Sequence, residues 1–364
     1  MEYLMMNKDR PVLRFDLEEM YIQVIDNRLL PYPLKDYVLT SGEKDMRGMM
    51  RDIQVLRDYL ASRTLNFSRE NAKVILNCSS LPQSLNTEQR LKIVTACSGL
   101  TMQDSFWIKK DGDDRRFEDV CLRKVSLREA SYDIAILGKH ISSTANELAP
   151  DLTTEGMFPK YWHRTGNGDV ELWKTDKIGG ANSRAEVKAS EIAKMLGVPA
   201  LSYRIEEKDG LVFSVCKCIA NDEVSLIPIQ DIIDWHVHIG REFPKELEIK
   251  PFYYRAFANM CLSDYITANT DRHNNNWGVL VNDSNEIISM SPLYDFNQAL
   301  IADEFGTNID ELIYEPTGKT FRDSIEEWAF YADVNLSEVK NSDVSDKVKQ
   351  RISIIEEILQ RKRS

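Results

Sequence analysis

Several patterns that would assign a protein to a special class are scarce in this 364-residue sequence. No apolar run approaches the roughly 18 residues of a membrane span, and the first residues, MEYLMMNKDRP, contain no apolar signal-peptide core. The six cysteines include no CxxC pair of the metal-binding type, and a chain of this length does not need disulfides for stability. We therefore expect a bacterial-type cytoplasmic protein with reduced thiols and no membrane contact.

Positive charge is also in the minority. The chain has 46 Lys and Arg residues against 58 Asp and Glu residues, which gives a formal net charge of -12. Phosphate backbones are bound by basic surfaces, so we expect no direct binding of nucleic acid. The composition is otherwise that of an ordinary globular protein, with 43% hydrophobic and 29% charged residues.

The first third of the chain favours helices with a few short strands. Apolar residues recur at helical spacing over residues 43–64, and NTEQRLKIVTACSG predicts a capped helix that ends at Gly99. SFWIKK and FEDVCL are short candidate strands, separated by the turn sequence DGDDRR. We expect a mostly helical N-terminal extension.

The pattern changes to hairpins after residue 156. MFPKYWHRT and VELWKTD flank GNGD and predict a β-hairpin. SRAEVKASEIAKMLG follows as a helix with Ser183 as its N-cap and Gly197 at its end, and SYRIEEKDGLVFSVCKCI predicts two strands around a DG turn. From Asp231 onward helices dominate, interrupted by the predicted hairpin WGVLVNDSNEIISMS. This order of elements is that of a two-lobed phosphotransferase.

The loop ANTDRHNNNW carries the clearest chemical pattern. Asp271 and Asn276 are five residues apart, the spacing at which a kinase catalytic loop places the base for the acceptor hydroxyl and a metal-binding amide. Asp295 follows the next hairpin and could hold Mg²⁺ together with Asn276. The alternative is structural: Asp271 caps a helix end and the asparagines form an Asx turn. Asp295 at a suitable spacing favours the phosphoryl-transfer site.

The motifs TDRHNNN and YDFN resemble those of the HipA-like serine/threonine kinases, including the CtkA-type kinases, and more distantly the DRHxxN loop of phosphatidylinositol kinases. The resemblance covers roughly residues 98–310. It implies ATP and Mg²⁺ as cofactors and assigns Asp271, Asn276 and Asp295 to catalysis. It further implies that the nucleotide is contacted by residues of the phosphate-covering loop, the strands and the catalytic loop: Gly156, Lys160, Lys174, Glu186, Cys216, Cys218 and His273.

Two of these assignments have local alternatives. Glu186 could pair with Lys174, or it could complete a capping box with Ser183, in which case Glu191 is the fallback partner of Lys174. His273 could orient the loop as a structural hydrogen-bonding residue. LYDFNQAL has Asn where DFG kinases have Gly, and HipA-like kinases also lack that Gly, so only a DFG-type switch is put in doubt.

The resemblance implies a two-lobed, protein-kinase-like α+β fold with a β-rich N-lobe and a helical C-lobe. We divide the chain into an accessory region (1–97), an N-lobe with phosphate loop, lysine strand and hinge (98–220), and a C-lobe with catalytic loop and metal-binding Asp (221–364).

The implied activity is transfer of phosphate from ATP to protein serine or threonine, with relatives that include toxins neutralised by an antitoxin. The alternatives are a catalytically silent nucleotide-binding module and a small-molecule or lipid kinase. Thr153 and Thr154 precede Gly156 between two prolines, so we expect autophosphorylation there to repel the nucleotide and to inhibit.

Overall fold

The computed structural model describes eight stretches of the chain: residues 1–36, 46–64, 70–78, 86–127, 130–139, 158–176, 179–241 and 252–361. Gly156 and the two threonines predicted as autophosphorylation sites, Thr153 and Thr154, lie outside the described residues. No helix among the described residues is both long enough and apolar enough to cross a membrane.

An antiparallel sheet with strand order β3-β2-β1-β4 forms the N-terminal part of the protein. Its strands are β1 (Tyr3–Asn7), β2 (Arg10–Asp16), β3 (Tyr21–Val24) and β4 (Phe106–Lys110). The helices of this region are α1 (Met46–Ser62), α2 (Ala72–Cys78) and α3 (Thr87–Ala96). Leu56 and Leu60 of α1 and Val94 of α3 share one apolar core with β1 and β2. The predicted helices are present, whereas the three N-terminal strands were not predicted.

Strand β4 was predicted, but its partner was not. It pairs with β1 over a long sequence separation, with Tyr3 opposite Lys110. The segment predicted as a second strand, FEDVCL, is instead the short helix α4 (Phe117–Val120). Phe117, Val120 and Cys121 are spaced i, i+3 and i+4, so helical geometry puts all three on one buried face. A further short helix, α5, spans Ser131–Ala135.

The second antiparallel sheet has the strand order β5-β6-β8-β7. Both predicted hairpins are present, formed by β5 (Lys160–Arg164) with β6 (Val170–Lys174) and by β7 (Tyr203–Lys208) with β8 (Leu211–Lys217). Helix α6 (Ala181–Met195) lies between the hairpins in sequence and packs on β7 and β8.

The N-terminus of α6 differs from the prediction. Its N-cap is Gly180, with φ of 76°, and the Asp176 carboxylate accepts hydrogen bonds from the backbone N–H groups of Gly180 (3.0 Å) and Asn182 (2.8 Å). A Cβ at Gly180 would lie 2.4 Å from Cβ of Val212, so only glycine fits. Ser183, the predicted N-cap, lies inside the helix and donates to the Val212 carbonyl.

The C-terminal part contains the largest apolar core. A three-stranded sheet, order β11-β10-β9, is built from β9 (Ser225–Pro228) and the predicted hairpin β10 (Gly278–Val281) and β11 (Ile287–Met290). The small hairpin of β12 (Ile313–Tyr314) and β13 (Lys319–Thr320) follows. The helices are α7 (Ile229–His238), α8 (Phe252–Ile266), α9 (Ile301–Glu304), α10 (Phe321–Trp328), α11 (Leu336–Lys340) and α12 (Asp346–Arg361). The two-lobed α+β fold is thereby confirmed.

The N-terminal part contacts the tip of the β10–β11 hairpin. The amide of Asn285, in the turn between these strands, donates to the Leu30 carbonyl (2.6 Å), and the Tyr32 hydroxyl donates to the Asn285 carbonyl (3.0 Å). Lys8 pairs with Asp283 in the same turn (2.5 Å). The hairpin that separates Asn276 from Asp295 is therefore held at its tip by the start of the chain.

Candidate active site

Lys174 lies at the end of β6 and is buried among carboxylates. Its Nζ donates to Oε1 of Glu186 on α6 and to Oδ1 of Asp295 (3.1 Å). Burial alone would lower the pKa of Lys174, but Asp295 and Glu186 together raise it above the ordinary lysine range. Glu186 is thus the partner of Lys174 on α6, whereas Glu191, the fallback partner, is exposed.

Glu186 is fully buried and connects three elements. Besides Lys174, its carboxylate accepts hydrogen bonds from Oγ of Ser214 on β8 (2.5 Å) and from the backbone N–H of Phe296 (3.3 Å). The capping-box alternative for Glu186 is wrong, because the helix begins further upstream and this carboxylate points to the sheet instead. Glu186 thus ties α6 and β8 to the residue after Asp295.

Asp295 has a left-handed backbone conformation, with φ of 58°, and its N–H donates to the Tyr203 hydroxyl oxygen (3.2 Å). Burial would raise the pKa of its carboxyl group, but Lys174 and then Lys160 lower it to about 2. Lys160 is buried and stands opposite Lys174 in the register of β5 and β6. Because Asp295 stays ionised beside two lysines, its carboxylate can bind a metal ion while the lysines bind phosphate.

A second buried charge cluster holds the catalytic loop. Arg272 donates through Nε (2.9 Å) and Nη2 (3.0 Å) to the carboxylate of Asp264 on α8, and both side chains are fully buried. Its Nη1 donates to the backbone carbonyls of Asn276 and of Tyr294 (2.6 Å). One guanidinium therefore fixes the loop segment of Asn276 against the residue that precedes Asp295. Arg272 is therefore an orienting residue of the catalytic loop.

The loop itself is a tight turn around the Asp271 carbonyl. That oxygen accepts hydrogen bonds from Nδ2 of Asn276 (2.9 Å) and from the backbone N–H of His273 (2.9 Å). With Nδ2 so engaged, Oδ1 is the amide atom of Asn276 that suits a metal ion. The imidazole of His273 accepts through Nδ1 from the N–H of Asn275 (3.2 Å), a role in the loop turn.

Asp271 lines a pocket of about 360 Å³ that the catalytic loop shares with the β12–β13 hairpin. Burial raises the pKa of Asp271, an effect that His273 opposes and Asp295 increases. A raised pKa moves a carboxylate towards the range in which it can accept a proton from a hydroxyl group. The choice between a base and a helix cap for Asp271 stays a prediction.

The predicted cysteines lie at the end of β8. Cys216 pairs in register with Leu172 and Tyr203, and burial raises the pKa of its thiol to about 12. Cys218 lies just beyond the strand, and its thiol donates to the Met102 carbonyl (3.6 Å). Burial raises the pKa of the Cys218 thiol to about 11, so both thiols are inert packing groups. Their contact with a nucleotide stays a prediction.

The sequence reading missed several residues that position the site. Asp264, Ser214, Tyr203 and Tyr314 each bind a site residue or its immediate support. A signal existed for Asp264, since a carboxylate within the apolar helical sequence NMCLSDYIT must find a buried cationic partner. For the other three, only the tertiary contacts reveal the role.

No family model and no curated protein matches this chain. Among solved structures, the HipA, HipB and operator DNA complex of the Shewanella oneidensis MR-1 toxin–antitoxin system contains a chain with 14% identity and a TM-score of 0.55. That match covers 98% of this chain and 91% of the other. The Helicobacter pylori proinflammatory kinase CtkA matches with 16% identity and a TM-score of 0.37, over 55% of this chain and 90% of CtkA. The match to the Shewanella oneidensis chain shows the HipA-like fold predicted from the sequence.

Proposed function

We propose that this protein is an ATP- and Mg²⁺-dependent protein kinase that phosphorylates serine or threonine. The observation that carries the proposal is the meeting of Lys174, Glu186 and Asp295 at one point, next to a loop whose Asn276 is joined to the Asp295 segment by Arg272. Kinases require this lysine–glutamate pair and this metal-binding aspartate to be in place together.

The residues present fit a nucleotide with its metal ion. Oδ1 of Asn276 and the carboxylate of Asp295 are hard oxygen ligands of the kind that Mg²⁺ prefers. Lys174 and Lys160 would bind phosphate oxygens, and the metal ion would neutralise the charge that develops on the transferred phosphate. Cys216, Cys218 and His273 would border the nucleotide as the resemblance implies.

Asp271 would act as the base towards the acceptor. Its carboxylate takes the proton of a serine or threonine hydroxyl as that oxygen forms its bond to the γ-phosphorus of ATP. The bond from the γ-phosphorus to the bridging oxygen breaks, and ADP leaves with the electron pair. The raised pKa of Asp271 suits this proton transfer.

Two matched substitutions test this assignment in purified protein with Mg²⁺ and labelled ATP. Asp271→Asn should lower transfer by about 10²- to 10⁴-fold and leave ATP–Mg²⁺ binding nearly unchanged, because the base acts on the acceptor. Asp295→Asn should lower both, because it removes a metal ligand. Wild-type transfer and binding in both variants would show that the site is wrongly assigned.

The same reaction mixtures test autophosphorylation. Mass spectrometry should find phosphate on Thr153 or Thr154 in the wild type and none in Asp271→Asn. Glutamate at either position should lower transfer if phosphate there is inhibitory, because it places negative charge beside Asp151 and Glu155. Full transfer in both glutamate variants would exclude an inhibitory role.

An antitoxin-type protein partner is part of the proposal, because the HipA of the matching structure is in a complex with HipB and operator DNA. Co-purification with the products of neighbouring genes would identify such a partner. A gel-shift experiment on the isolated protein would check the expectation that it does not bind nucleic acid by itself.

A further inference from the structure

The pocket beside Asp271 has two walls that come from different parts of the chain. Residues 270–273 of the catalytic loop form one side, and Ile313, Tyr314, Glu315 and Gly318 of the β12–β13 hairpin form the other. An acceptor hydroxyl that reaches Asp271 through this pocket lies next to the hairpin. The hairpin side chains are therefore placed to read the residues next to the acceptor.

The hairpin is fixed to the catalytic loop by the buried charge cluster. The Tyr314 hydroxyl donates to Oδ2 of Asp264 (2.8 Å), the carboxylate that also holds Arg272. The next residue, Glu315, accepts a hydrogen bond through Oε1 from the backbone N–H of Asn274 (3.3 Å). Glu315 thus has a defined position relative to Asp271, as a specificity-determining side chain requires.

The pocket walls present negative charge. Asp271 and Glu315 are both carboxylates, and Glu315 contributes to raising the pKa of Asp271, which places the two within electrostatic range. Arg272 is also a lining residue of the pocket, but its guanidinium is fully buried and paired with Asp264. An entering segment therefore meets the carboxylates of Asp271 and Glu315.

The rim of the pocket adds an apolar feature. Strand alternation turns Tyr314 into the core and Ile313 outward, where its side chain is 63% exposed. An exposed isoleucine beside charged residues is a suitable contact for an apolar side chain of a bound segment.

We propose that Glu315 makes this site selective for acceptor segments that carry lysine or arginine next to the phosphorylated serine or threonine. Ile313 would pack against an apolar neighbour in the same segment. The inference rests on the proposed kinase function, since it names the substrate class of that site. Recognition of basic segments by Glu315 can also be measured as binding, which needs no catalysis.

The test uses two synthetic peptides of equal length with one serine, identical except that lysines flank the serine in one and glutamates in the other. Binding is measured by fluorescence anisotropy and transfer by incorporation of labelled phosphate, both at pH 8 and low salt. The wild type should prefer the lysine peptide by about tenfold in both measurements. Added salt should reduce the preference, because exposed charges are screened.

Three variants isolate the role of Glu315. Glu315→Gln keeps an acceptor for the Asn274 N–H and should reduce the preference to nearly none, whereas Glu315→Lys should invert it. Glu311→Lys is the matched control, because Glu311 is an exposed glutamate two residues before β12 and is not a lining residue of the pocket. It should keep the wild-type preference.

The outcomes separate the two proposals. Transfer with the same lysine preference in the wild type and Glu315→Lys overturns the role of Glu315 and leaves the kinase proposal standing. Glu315-dependent binding of the lysine peptide without any transfer to peptide or protein supports the recognition and overturns the kinase. An inverted preference in Glu311→Lys as well would assign the effect to the general charge of the surface and overturn the role of Glu315.

Discussion

The protein has two neighbouring buried charge clusters, and they differ in how much of their charged side chains is exposed to solvent. In the cluster of Arg272 and Asp264, both side chains are fully buried, and Asp264 also accepts from Tyr314 and Asn269. In the cluster of Lys174, Glu186 and Asp295, the Asp295 side chain keeps 21% of its surface exposed. The first cluster has protein partners for its hydrogen-bonding groups, whereas the second has a carboxylate that solvent and ligands can reach.

This difference separates structural from ligand-binding charge. A buried ion pair contributes little net stability when it forms, but removing one partner leaves the other charge buried and unpaired. A partly exposed carboxylate held ionised by two lysines can instead exchange a lysine contact for a metal ion. We therefore assign the closed cluster (Arg272 and Asp264) to holding the catalytic loop. We assign the open cluster (Lys174, Glu186 and Asp295) to ligand binding.

The largest expected effect is the loss of the closed cluster. Asp264→Ala leaves Arg272 charged and buried, and should lower the free energy of unfolding by about 3–5 kcal/mol. Asp295→Asn should lower it by no more than about 2 kcal/mol, because Lys174 keeps Glu186 as partner. Urea unfolding of the two variants beside the wild type measures both; equal losses would remove the distinction between the clusters.

The second effect concerns ligand binding at the open cluster. ATP with Mg²⁺ at roughly 100 times its Kd should stabilise the wild type by about 2.7 kcal/mol, seen as a rise in Tm. ATP with excess chelator should give a much smaller rise, since lysine alone does not balance a triphosphate. The rise should be lost in Asp295→Asn. A full rise without metal would contradict the assignment of Asn276 and Asp295 as metal ligands.

The third effect is on acid stability. The pKa of Asp295 is lowered from 3.8 to about 2 in the folded protein, so its ionised form stabilises the fold above pH 4. That contribution is lost as the pH falls through about 4 to 2, and it amounts to about 2 kcal/mol. Unfolding free energies measured over this range should therefore fall more steeply for the wild type than for Asp295→Asn. Parallel curves would show that Asp295 is not held ionised by the lysines.

The smallest effect on stability and on ligand binding is expected at Glu191, the alternative partner of Lys174, whose place Glu186 takes in the structure. Glu191→Gln changes an exposed side chain and should alter the free energy of unfolding by less than about 0.5 kcal/mol. The ATP–Mg²⁺-induced rise in Tm should be unchanged, whereas Glu186→Gln should reduce it. Both variants replace a glutamate of α6 by glutamine, but only Glu186 is buried and in contact with Lys174, Ser214 and Phe296.

The sequence predicted those parts of the fold that are specified locally. Hairpins β5–β6, β7–β8 and β10–β11 each have alternating strands around a short polar turn, so their signal lies within about 20 residues. The open cluster was also predictable, because Lys174, Glu186 and Asp295 belong to motifs. Even there, the choice between Glu186 and Glu191 needed the packing of α6 on β8.

The rest depends on contacts between distant residues. Nothing near Tyr3 indicates that its strand pairs with the strand ending at Lys110. The N-cap of α6 was predicted at Ser183 because serine is a good cap. The N-cap is instead Gly180, where Val212 of β8 lies too close for any side chain. The central role of Asp264 could be suspected from its position in an apolar helix, but its partners come from the catalytic loop (Arg272) and from β12 (Tyr314).

The contact of the first residues with the β10–β11 turn sets an order of events during synthesis. Asn285, whose amide binds the Leu30 carbonyl, follows Leu30 by 255 residues. At about 5–20 residues per second, the ribosome needs roughly 13–50 seconds to add that length of chain. Leu30 and Tyr32 therefore lack these partners until residue 285 has been made, and docking of the N-terminal part on the β10–β11 turn is a late step.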